Sequence, residues 1–223
     1  MKAGWLAVAL LAVVSQVAAN GQAPAAADPT FQLDFSDPGL SPSQWTLTLR
    51  PDGTGHFRSV AGKSPDDAIP GIVAPAVDRD IQVSAAYADR VFAAAARHRW
   101  FNEACESHIK VAFQGWKTLT YTGPQGQGTC TFNYSKDREI QDLGDSLEAV
   151  AETIVEGARM ESLLQHDRLG LDAEMEFLVE AVGDGRAQQV CVIRELLERL
   201  VQDDTVLDRV RKRARMLLMQ SAT

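Results

Sequence analysis

Trp45-Thr46-Leu47-Thr48-Leu49-Arg50-Pro51-Asp52-Gly53-Thr54-Gly55-His56-Phe57-Arg58-Ser59-Val60 is the stretch that decides the fold. Alternation sets Trp45, Leu47 and Leu49 on one face and Thr46 and Thr48 on the other, the period of a half-buried strand. Pro51 to Gly55 is turn chemistry, since proline fixes φ and glycine accepts positive φ. His56 to Val60 returns as the partner strand, so the segment is a β-hairpin.

The pattern recurs downstream. Lys117, Leu119 and Tyr121 share one face, with Thr118, Thr120 and Thr122 opposite. Gly123 to Gly128 is the expected loop, and Thr129 to Tyr134 the return strand, with Cys130, Phe132 and Tyr134 pointing one way. Gly115 before it reads as a bulge or bend. Because Gly123, Gly126 and Gly128 join two antiparallel strands and open no helix, they are not a phosphate loop. The threonine faces are ordinary solvent-facing β surface.

Around these hairpins, Phe31, Leu33 and Phe35 alternate as a further short strand. Residues 61–80 carry Gly62, Pro65, Pro70, Gly71 and Pro75, which predicts no regular element there. Ile81 to Val83 forms a brief strand leading to a helix capped at Ser84. At helical period Tyr87, Val91, Ala94, Phe101 and Cys105 form one stripe along that helix.

After Ser135 the chain turns helical. Ile140, Leu143, Leu147, Ala151, Ile154 and Ala158 recur every three or four residues, a long amphipathic helix. Asp172 caps a short helix that uses Met175, Leu178, Val179 and Val182 and stops at Gly183 and Gly185. Val190, Ile193, Leu197, Leu200 and Val201 mark the next helix, and Val206, Leu207, Val210, Ala214, Leu217 and Leu218 the last. The fold class is therefore α+β: antiparallel β-hairpins with a packed helix, followed by an α-helical C-terminal bundle. The organisation read from the chain is a signal peptide at 1–19, a flexible leader at 20–30, an α+β domain at 31–135 and a helical domain at 136–220.

The signal peptide rests on Lys2, the apolar run Gly4 to Val14 and the small residues Val17-Ala18-Ala19. The run is roughly half of the ~20 residues needed to span a bilayer, so no transmembrane segment is expected after cleavage. The expected location is the periplasm or the cell exterior. A net charge of −8 excludes nucleic acid as a partner, since counterion release would add little.

Three cysteines are an odd number for an exported chain. Cys105 on its helical stripe and Cys130 on its apolar strand face point into one interface, so they are expected to form a disulfide contributing roughly 3 kcal/mol. A metal site on Cys105 and His108 lacks the second ligand pair that zinc requires. Cys191 lies off the apolar arc of its helix; it is either covered by the N-terminal half or exposed and able to link two chains.

Other candidates are read against a structural role. Asp172-Ala173-Glu174-Met175-Glu176 suits the first turn of a helix. His56, His98, His108 and His166 form no ligand spacing. Arg209, Arg211, Lys212, Arg213 and Arg215 are a basic face; Arg209, Lys212 and Arg213, with Cys191, are the candidate interaction surface toward an acidic partner or head-groups. Asn133-Tyr134-Ser135 is a glycosylation sequon if the source is eukaryotic. No motif implies a cofactor.

Over residues 45–135 the chain resembles exported bacterial α+β domains of unknown function. The residues carrying the likeness are the Trp45 hairpin, Phe101 to Cys105, Val111-Ala112-Phe113 before Gly115, and Lys117 to Tyr121 leading to Cys130. The last two helices resemble one HEAT-type repeat through Val210-Arg211, Ala214 and Leu217-Leu218. Neither resemblance implies site residues. The expected role is non-catalytic, binding a macromolecule or serving structurally in the cell envelope, with no nucleophile–base pair, carboxylate dyad or cofactor loop in the sequence. The rivals are a hydrolase using His98 or His108 as base and a small-ligand carrier with a cavity between sheet and helix.

Overall fold

A computed structural model describes residues 28–61 and 74–221. The expected signal peptide and most of the expected leader lie outside the described residues. Six strands form one antiparallel sheet: β1 (Thr30–Ser36), β2 (Gln44–Leu49), β3 (Thr54–Ser59), β4 (Val77–Gln82), β5 (Trp116–Gly123) and β6 (Gly126–Phe132). Their order is β4-β3-β2-β1-β5-β6, with β1 between the two hairpins. The helices are α1 (Ala85–Arg97), α2 (Arg138–His166), α3 (Leu171–Asp184), α4 (Arg194–Gln202) and α5 (Asp208–Gln220). The expected α+β class is what the chain adopts.

Strand alternation builds the first core. Phe31, Leu33, Leu47, Leu49, Phe57, Leu119 and Phe132 are fully buried, and Tyr87, Val91 and Ala94 of α1 and Ile140, Leu147 and Val150 of α2 belong to the same cluster. Each such large side chain contributes roughly 1.5–3 kcal/mol. The other sheet face is polar: Thr118 and Thr131 hydroxyls meet at 2.9 Å, Thr120 and Thr129 at 3.1 Å, and Thr46 donates to Asp34 at 2.7 Å. A second core joins Met160, Leu171, Met175, Leu178, Leu197, Val210 and Leu217. The two cores divide inside α2, between Ala158 and Met160, so this one helix serves both halves.

Several local expectations are corrected. Strand β4 begins at Val77, inside the stretch expected to be irregular, and pairs with β3 along its length. Its alternation was masked because Arg79 takes a sheet-facing position and reaches Glu161 at 2.5 Å. Helix α1 ends at Arg97; Arg99, Trp100 and Phe101 follow with φ of 50°, 60° and 62°, so the stripe does not continue to Cys105. Aromatic contacts accompany that left-handed turn, Trp100 stacked on Tyr121 at 4.5 Å and Phe101 edge-on to Phe31 at 5.8 Å. The β5–β6 turn is only Pro124-Gln125, and Gly123 and Gly126 pair as strand residues. A Cβ on Gly126 would strike the Trp100 ring, which is why the glycine sits in the strand. The return strand stops at Phe132, short of Tyr134. Ser84 caps α1 as expected, its hydroxyl accepting from Tyr87 N–H. Asp172 is no cap: Gly170 holds that position, and Asp172 lies in the first turn of α3.

Candidate interaction groove

A groove of about 1000 Å³ runs beside β4. One side is Ala76 to Ser84; the other is the short 3-10 turn Val190–Ile193 and the first turns of α4, with Glu161 of α2 and Ser221 completing the lining. It joins the two halves of the molecule.

The register fixes what β4 presents there. Arg50 N–H donates to Thr54 O at 2.7 Å and Val60 N–H to Gln44 O at 3.2 Å, so even-numbered β3 residues bond to β2. Odd-numbered β3 residues therefore bond to β4, and Val83 N–H on Gly53 O at 3.0 Å agrees. Asp78, Asp80 and Gln82 consequently turn their backbone N–H and C=O groups away from the sheet, toward the groove. Among the described residues only the last has a partner on that side: the Cys191 thiol donates to Gln82 O at 3.6 Å. Burial pushes this thiol up, so it remains a protonated donor. Ser84 N–H donates to Gln189 Oε1 at 2.9 Å, fastening the 190–193 turn to the end of β4.

The groove's charges are unevenly matched. Glu161 is shared by Arg79 (2.5 Å) and Arg199 (3.0 Å). Arg194 has only Ser221 Oγ, at 3.4 Å, and no carboxylate among the described residues. Asp78 and Asp80 do not compensate, because their side chains lie with His56 (3.0 and 2.9 Å) on the polar sheet face.

Two buried clusters of ionisable side chains lie outside the groove lining. Lys117 takes an inward position on β5, 1% exposed, and pairs with Glu148 at 2.8 Å. A Cβ on Gly144 would lie 2.9 Å from the Lys117 stem, so the glycine makes room for it. Burial raises the Glu148 carboxyl, partly offset by that lysine. On the same helix Glu156 is fully buried between Arg159 and Glu174. Burial and the neighbouring Glu174 push its pKa up to about 9. Lys117 was readable as inward-facing, and Glu148, Glu152 and Glu156 step by four along α2. Sequence reasoning assigned none of them a role, because neither signal says what lies opposite.

Cys105 and Cys130 form the disulfide, S–S 2.02 Å and Cα–Cα 5.7 Å, with Cys105 in the extended segment after the left-handed turn rather than on a helix. Cys191 is half-buried, its thiol on Gln82 O of β4 and in the lining of the groove. Arg209 and Arg213 pair with Asp172 of α3 at 2.6 and 2.8 Å, and Lys212 with Asp208 at 2.8 Å. Each of these three side chains thus has a carboxylate within the chain, and Asp172 is held below the usual carboxylate range by Arg209 and Arg213. His98 is clamped, Nδ1 2.9 Å from Glu103 and Nε2 3.1 Å from Glu139, so a carboxylate faces each ring nitrogen. His108 is exposed. Among the described residues no group of three or more His, Cys, Asp or Glu is placed to hold a metal ion, and no helix is long and apolar enough to cross a membrane.

No protein-family model matches the chain, and no curated protein matches it closely enough to count as a relative.

Proposed function

We propose that the protein is an exported, non-catalytic component of the cell envelope that binds another polypeptide in the groove beside β4. One observation carries this reading: a groove of about 1000 Å³ follows the outer edge of the end strand β4 and, among the described residues, holds no nucleophile with a base in reach. Export is supported by the signal-like first nineteen residues, the disulfide and the likeness of residues 45–135 to exported bacterial domains. The hydrolase alternative is disfavoured by the doubly occupied ring of His98, and the carrier by the side chains filling the space between sheet and α1.

Photo-crosslinking in the native envelope tests the reading. A photoreactive residue at Val192, inside the groove, is expected to give one discrete adduct, and the same residue at Thr129, on β6, none. Turnover of an ester or peptide panel that disappears with His98→Ala, together with no adduct from Val192, contradicts it.

A further inference from the structure

We infer that the groove takes an extended peptide segment as a seventh strand on β4, with an acidic residue of that segment opposite Arg194. The inference rests on the reading of the groove as a polypeptide site and states the mode of binding and the chemistry of the partner.

Three observations define the occupant. First, the outward N–H and C=O groups of Asp78 and Asp80 repeat every second residue along an edge, a pattern that only another extended backbone matches group for group. Second, the turn at 190–193 and the start of α4 line the far side, so alternate side chains of an added strand meet the helices. Third, of the guanidiniums bordering the groove Arg79 and Arg199 share Glu161, the carboxylates of Asp78 and Asp80 are turned to His56 on the polar sheet face, and Arg194 lacks an acidic partner among the described residues. An acidic side chain supplies it.

A second copy of this chain is the poorer occupant. Antiparallel pairing of β4 with itself would bring Asp78 and Asp80 of the two copies together on one sheet face, and like charges directly opposite are unfavourable. The Cys191 thiol already occupies Gln82 O, so the added strand pairs through Asp78 and Asp80 and ends before Gln82.

The test uses a displayed library of random twelve-residue peptides panned against the purified chain, the best binder then being synthesised. Asp80→Pro removes an outward N–H and no bond to β3, so the sheet is preserved while affinity falls about tenfold, the size of one lost backbone hydrogen bond. Should that variant fail to fold, the peptide carries the same test: N-methylation at every second residue abolishes binding in one phase and spares it in the other. Arg194→Ala is expected to weaken binding about tenfold and to remove the acidic preference from a repeat selection. Binding that ignores the methylation phase, or that persists unchanged in both variants, overturns strand addition while leaving a polypeptide site in place. A dimer forming through β4 assigns the edge to a second copy and overturns the proposal. Enrichment of no peptide overturns the groove as a polypeptide site altogether.

Discussion

The two ends of the sheet are finished differently. At the β6 end the chain is fastened to itself: the disulfide ties Cys105 to Cys130, Glu106 accepts from Asn133 N–H at 2.6 Å, and Ser107 N–H donates to Tyr134 O at 2.9 Å. At the β4 end the only bond from outside the sheet to an outward backbone group, among the described residues, is the thiol on Gln82 O. Unpaired edges invite association, and proteins usually guard them with charges or cover. Asp78, Arg79 and Asp80 supply charge here, but the helical wall leaves a groove instead of closing it. One edge is crosslinked to the segment before it, and the other faces a groove.

Breaking the fastened end has the largest expected effect. Replacing Cys105 and Cys130 together by serine is expected to lower unfolding free energy by about 3 kcal/mol in denaturant melts. Hydrogen exchange should then quicken in β6 and stay unchanged in β4; equal loss at both ends would dissolve the comparison.

The next effect concerns how firmly the helical half is held to the sheet. Glu156 lies where the two cores divide, with Glu152, Glu174 and Arg159 around it. Its carboxyl is protonated in the fold up to about pH 9 but ionises near 4.5 when exposed, so folding retains a proton that the unfolded chain releases. The stability it contributes is complete below pH 4.5 and declines as pH rises toward 9. Glu156→Gln keeps the neutral form and should raise stability at pH 8 by roughly 2 kcal/mol, with little change at pH 4. Thermal melts across that range check it; a variant less stable at pH 8 would show that the ionised pair with Arg159 is the native form.

Smallest is the tie across the groove itself. Arg79→Ala removes a half-buried pair with Glu161 and should cost about 1 kcal/mol. Its sharper readout is local: the Cys191 thiol should react faster with a maleimide while β6 exchange stays the same.

What could be read from the chain follows from how local each cause is. The hairpins at Trp45 and Lys117 show because alternation and turn residues act within a few positions. The stop of α1 at Arg97 does not show, because it accompanies Trp100 stacking on Tyr121, a contact across the fold. The pairing of Cys105 with Cys130 was reached although its premise, a helix running to Cys105, fails: both thiols do face the sheet's core side, but by way of an extended segment. Strand β4 was hidden by Pro75 before it and by Arg79 in a position alternation reserves for apolar residues. The groove was out of reach, since Gln82 and Cys191, its two touching sides, lie 109 residues apart in sequence.

Amide hydrogen exchange by NMR on the unliganded chain measures the openness of the β4 edge directly. Arg79 and Ile81, bonded to β3, should be protected, whereas Asp78 and Asp80 should exchange nearly as fast as free peptide. Protection of those two aspartate amides to the level of their neighbours would mean the edge is already covered, and the groove is not a vacant binding site.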